Sequence, residues 1–144
     1  MILRLTVLVI LFSFTQIVIA EDLNQLYQKN YDGFWEAWEK ERINFESCSS
    51  PNNSVKFLLN TLETSGNAEV SEANSEVIEK AIINNPKCVL DALLALPEKK
   101  LMRIMDLFIA RPLYHPIDEI QTSFETIWND QKYATIKSEF IRLK

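Results

Sequence analysis

Glycine is the residue this chain does without: Gly33 and Gly66 are the only two among 144 residues. The hairpin turns of an all-β domain need many backbone positions with φ above zero. Nucleotide-binding loops need closely spaced glycines where the chain meets phosphate. Two isolated glycines supply neither, so all-β, P-loop and dinucleotide-binding folds are removed together.

The apolar residues instead recur with the period of a helix. Tyr27, Tyr31, Phe34, Trp35, Trp38 and Phe45 stand three, four and seven apart, with charged residues between them. That spacing predicts a helix over Asp22 to Glu46. Gly33 is expected to kink or divide it, at about 1 kcal/mol relative to alanine. Phe34 with Trp38 is the better inward pair, and the cluster reads as core rather than as an exposed hot spot.

Ser49 to Ser54 (SSPNNS) reads as a loop with a helix start built in, since serine caps and proline is tolerated at the first helical position. A second helix follows with Val55, Leu58, Leu59 and Leu62, ending near Gly66. A third, from about Ser71 to Asn84, turns Ala73, Val77, Ile78, Ala81 and Ile82 inward. Asn85-Pro86 pairs an N-cap with a first-turn proline and starts a fourth, to Leu96. Pro97 opens a fifth with Leu101, Ile104, Met105 and Phe108 inside. Arg111 to Pro116 (RPLYHP) cannot be helix interior, because each proline removes a donor and restricts its predecessor. From Ile117 to about Leu143 the helical stripe resumes, with a break expected at Asn129–Asp130. The fold class is all-α: a compact bundle of six or seven short antiparallel helices. Helix pairs of this length resemble a miniature solenoid, but no self-similarity at fixed period supports one.

The N-terminus has the order of a secretory signal. Arg4 precedes the apolar Leu5–Phe14, Thr15-Gln16 breaks it, and Val18-Ile19-Ala20 offers a cleavage site before Glu21-Asp22. The apolar run before Ser13 is eight residues, against roughly 20 for a bilayer span. Residues 1–20 are therefore read as a cleaved signal peptide and residues 21–144 as one helical domain, periplasmic or secreted, with no stable membrane insertion. Cys48 and Cys88 are the only cysteines. In an oxidising destination they are most simply read as one disulfide rather than two buried thiols. Its loop of about 40 residues would contribute about 4 kcal/mol in the chain-entropy model.

Formal net charge is −5, and losing Arg4 makes it one unit more negative. Phosphate binding needs clustered Lys and Arg, so nucleic acid is not an expected partner. From Glu63 to Glu79 lie five glutamates and no Lys or Arg. Lys87 to Arg111 instead carries Lys87, Lys99, Lys100, Arg103 and Arg111 against Asp91, Glu98 and Asp106. An acidic helix beside a basic one can steer a charged protein partner, although such blocks also serve only to solubilise.

No catalytic constellation emerges. His115 is the only imidazole; it sits in the RPLYHP turn, with Asp118 and Ser123 near it in sequence alone. Joined cysteines leave no thiolate nucleophile, and one histidine gives a metal too few partners. The chain is expected to be no enzyme and to need no cofactor or metal. Asn52-Asn53-Ser54 matches a glycosylation acceptor, meaningful only in a eukaryotic secretory route.

The stretch Asn85-Pro86-Lys87-Cys88-Val89-Leu90-Asp91-Ala92-Leu93-Leu94, then Pro97-Glu98-Lys99-Lys100 and Phe108-Ile109-Ala110-Arg111-Pro112-Leu113, resembles small exported helical proteins of Gram-negative bacteria. Some of these are immunity proteins that neutralise periplasm-acting toxins, such as the amidase-inhibiting immunity proteins of type VI secretion. The resemblance implies a periplasmic, non-enzymatic protein that binds and blocks another protein. Glu72, Glu76 and Glu79 on the acidic helix are the expected contact residues. A homodimer is a further possibility, and the alternative function is a helical carrier enclosing a small apolar ligand.

Overall fold

Five of the eight described α-helices start at an amide, carboxylate or hydroxyl side chain that accepts a first-turn N–H. Those beginning at Glu98 and Ile117 instead follow prolines and have no side-chain cap. The computed structural model describes residues 22–144, so the expected signal peptide lies outside the described residues. Among them are eight α-helices and no strand. They are α1 Leu23–Lys29, α2 Tyr31–Glu46, α3 Pro51–Glu63, α4 Ala68–Asn84, α5 Pro86–Leu94, α6 Glu98–Ile104, α7 Ile117–Glu125 and α8 Ala134–Leu143. One π-helical turn, Met105–Ile109, continues α6, and a 3-10 turn, Gln131–Tyr133, precedes α8.

The break in the first predicted helix falls at Asn30, not at Gly33. Asn30 leaves helical backbone with φ −147° and ψ 78°, and its side chain accepts the Gly33 N–H at 3.0 Å. A Cβ on Gly33 would stand 2.3 Å from the Asn30 amide nitrogen. Gly33 thus leaves room for the cap while the helix runs on through it. The acidic helix likewise starts earlier than Ser71, because Asn67 caps it by accepting the Val70 N–H at 3.2 Å. Near the C-terminus, α7 stops at Glu125, ahead of the expected break at Asn129–Asp130. Trp128, between the two, is buried against Phe124 and Phe140.

The predicted stripes meet in one core. Phe45 and Phe57 stack at 4.5 Å between α2 and α3. Leu58, Ile78, Ile82, Leu90, Leu93, Ile104 and Met105 are fully buried around them. Each such side chain contributes about 1.5–3 kcal/mol by leaving water. Phe34 is buried and Trp38 packs on the core edge, its indole N–H donating to Asn74 Oδ1 at 2.8 Å. Glu69 at the start of α4 receives the hydroxyls of both Tyr27 and Tyr31, which holds its carboxyl below the ordinary value and ties α1 and α2 to α4.

Cys48 and Cys88 form a disulfide with Cα atoms 6.1 Å apart, joining the end of α2 to the first turn of α5. Helix α2 ends in a Schellman pattern, with Cys48 N–H bonded to Phe45 O and Ser49 N–H to Asn44 O, both at 3.0 Å. That motif needs left-handed backbone at the residue after the cap, usually glycine. Here Cys48 takes it, with φ 52°. The sulfur partner on α5 explains why a cysteine stands where glycine would be easier.

Candidate protein-binding face

Two features of α4 and the segment after the π turn build one surface. The segment Arg111 to Pro116 is bracketed by Pro112 and Pro116, which have no N–H. Every N–H between those prolines donates to a single carboxylate: Leu113 to Glu79 Oε1 at 2.7 Å, and Tyr114 and His115 to Glu79 Oε2 at 2.8 and 2.7 Å. Glu79 is 0% exposed. A buried carboxylate without a cation is costly unless its oxygens are filled by hydrogen bonds. The three amides fill them, and they fix the segment as a strap across the second half of α4.

By helical spacing, Glu72, Glu76 and Glu79 belong to one face of α4. Glu72 and Glu76 are exposed on it, as a contact surface requires. The strap, however, covers Glu79, so Glu79 presents nothing to a partner. Its carboxylate holds the strap in place.

With the strap pinned, its side chains between the prolines point outward: Leu113 is 65% and Tyr114 50% exposed. Partial burial and the nearby carboxylates of Glu72, Glu76 and Glu79 push the Tyr114 phenol above its ordinary value. The π turn adds a third apolar group. Its wide turn is closed by Ala110 N–H on Met105 O at 2.8 Å. It keeps Met105, Phe108 and Ile109 buried while Leu107 stands 44% exposed. Between α4 and this turn runs an open groove of about 270 Å3, with Ser65, Ala68, Ser71 and Ser75 on one side and Leu107, Phe108 and Leu113 on the other. Glu72 lies on its lip.

Elsewhere the chemistry is sparse. His115 Nδ1 lies 3.0 Å from Glu119 Oε2, a pair on the outer side of the α7 start. Among the described residues no three His, Cys, Asp or Glu side chains gather as a metal would require. A cavity lined by Phe34, Trp38, Phe57 and Thr61 measures about 20 Å3, room for one water and not for an apolar cargo. No helix among the described residues is long and apolar enough to cross a membrane.

Leu107, Leu113 and Tyr114 were missed by periodicity because they lie in the π turn and the strap, where no helical stripe applies. The legible signal was the pair Leu113-Tyr114 between two prolines, apolar residues with no helix to bury them. Compared with known proteins, the chain matches no family model, no curated protein and no solved structure.

Proposed function

We propose that this chain is an exported, non-catalytic protein that binds a protein partner and occludes it, acting as a periplasmic immunity or inhibitor protein. The observation that carries the reading is the strap. It offers two large apolar side chains beside the Glu72 and Glu76 carboxylates, on backbone already locked by Glu79 and two prolines. Apolar anchors within a charged rim are the usual anatomy of a binding face. Locking them beforehand removes ordering cost from association. Leu113 and Tyr114 would enter the partner's cleft, while Glu72 and Glu76 would meet cationic side chains on its rim. The disulfide accords with an oxidising destination. Blocking by steric occlusion needs no reactive group, and the face has none placed for reaction.

The test compares the wild-type chain with a Leu113→Asp/Tyr114→Asp variant, each expressed at full length with a C-terminal tag and recovered from the exported fraction. A specific partner should be retained by the wild type and lost from the variant. The partner's own activity should fall when wild type is added. Equal retention by both proteins, or no inhibition of the retained partner, would overturn the proposal.

A further inference from the structure

We propose that the small cavity between α2, α3 and α4 is a binding site for one water molecule, held by the Thr61 hydroxyl and the Asn74 amide. Four hydroxyl side chains are buried among the described residues: Ser54, Thr61, Thr64 and Ser75. Three of them turn back on their own helix and reach the carbonyl four residues earlier. Ser54 donates to Ser50 O at 3.3 Å, Thr64 to Asn60 O at 2.9 Å and Ser75 to Ser71 O at 2.9 Å. Thr61 is 1% exposed, stands on α3 between two of these, and its hydroxyl has no partner among the described residues. A buried hydroxyl without a hydrogen bond costs about 1–3 kcal/mol, so its partner must be sought in the space it faces.

Thr61 lines the cavity of about 20 Å3 together with Asn74, which is 2% exposed. Asn74 Oδ1 accepts the Trp38 indole N–H at 2.8 Å, and its Nδ2 donates to Thr64 Oγ1 at 3.4 Å. An amide has two lone pairs and two N–H groups, so one of each is left to spend. The carboxylate of Glu41 at the cavity wall is already engaged by Asn60 Nδ2 at 2.6 Å and Lys56 Nζ at 2.7 Å. Unspent donors and acceptors therefore converge from Thr61 and Asn74, giving a water at least two of the partners it needs. The volume admits one water and the rest of the wall, Leu23, Phe34 and Phe57, offers nothing to a second. An apolar atom of the same size would leave the Thr61 hydroxyl unsatisfied. The bound water joins α3 to the Trp38–Asn74 bridge and so ties three helices at one point. This inference is independent of the proposed partner.

The experiment pairs a crystal structure of the wild-type protein, at a resolution that shows ordered water, with the stability of Thr61→Val. Valine keeps the shape of threonine and removes only the hydroxyl, so the sign of the change is informative. If the hydroxyl holds a water, its loss should lower the folding equilibrium constant in urea denaturation by about three- to tenfold, the worth of one hydrogen bond. If the hydroxyl is idle, valine should leave that constant unchanged or raise it, because a buried unsatisfied group is removed. The crystal structure should show one water within hydrogen-bond distance of Thr61 Oγ1 and of the Asn74 side chain. A dry cavity with the Thr61 hydroxyl turned onto Phe57 O would overturn the proposal, even if Thr61→Val is destabilised. A Thr61→Val protein as stable as wild type, or more stable, would overturn it as well.

Discussion

Replacing Glu79 by glutamine tests the central structural claim with a change of one atom. The carboxylate offers two oxygens to three amide donors. A glutamine has one carbonyl oxygen and an NH2 that would face an N–H. In its best orientation the oxygen takes the Tyr114 and His115 amides and leaves Leu113 opposed by another donor. The two bonds kept also lose their charge, and charge-assisted hydrogen bonds are roughly twice as strong as neutral ones. One bond of about 1.5–3 kcal/mol is lost and two are weakened, while the relief of burying a neutral group offsets part of this. The net expectation is about 2–3 kcal/mol. It should appear first as release of the strap, because water can satisfy the amides once it lifts. Amide exchange at Leu113, Tyr114 and His115 should therefore quicken about 30- to 150-fold, each 1.4 kcal/mol being tenfold. Core amides of α4 such as Ile78 should change less. If the three strap amides keep wild-type protection in Glu79→Gln, the carboxylate does not hold the strap and the preorganised face loses its basis.

Two other perturbations follow from the same geometry. With the disulfide removed in both proteins, Cys48→Gly/Cys88→Ala should be more stable than Cys48→Ala/Cys88→Ala by about 1 kcal/mol in urea denaturation, because glycine accepts the left-handed backbone at position 48 freely; equal midpoints would refute this. Asp91 accepts hydrogen bonds from Lys87, Lys132 and the Tyr133 hydroxyl, tying α5 to the turn before α8. Partial burial works against its charged form, but the hydrogen bonds from Lys87, Tyr133 and Lys132 outweigh it and hold the carboxyl at about 2. A folded value below the unfolded one stabilises above about pH 4, and that contribution fades as pH falls toward 2. Asp91 is 38% exposed, so solvent screening holds the effect to about 1 kcal/mol or less. Wild-type stability should fall more steeply than that of Asp91→Asn between pH 4 and 2; parallel curves would remove Asp91 from the acid response.

Much of the helical framework was legible because its signals are local. A 3.6-residue apolar period, a capping asparagine or serine and a proline in the first turn act within a few residues of each other. They do not depend on what packs above them. The apolar stripes and the cap at Asn85 follow from such signals; the pairing of Cys48 with Cys88 followed instead from their being the only two cysteines in a chain read as exported. The misplaced boundaries have local causes of another kind: at Asn30 a side chain captured an N–H inside the stretch that periodicity had assigned to one helix, and Asn67 capped a helix that begins at Ala68, ahead of the expected Ser71.

The candidate face was only half legible. Spacing alone put Glu72, Glu76 and Glu79 on one side of α4, and composition made that side acidic. Which of them meets solvent was decided about 35 residues away in sequence, where two prolines leave three amides to be satisfied together. The same long-range fit exposes Leu113 and Tyr114, and the π turn that exposes Leu107 arises where α6 must bury Met105, Phe108 and Ile109 together. Sequence by itself determined that this chain is helical, acidic and able to form one disulfide, because those properties are sums over neighbours. Only the tertiary structure decided that one glutamate of three is a fastening and the other two a surface, because burial is a property of what crosses above a residue.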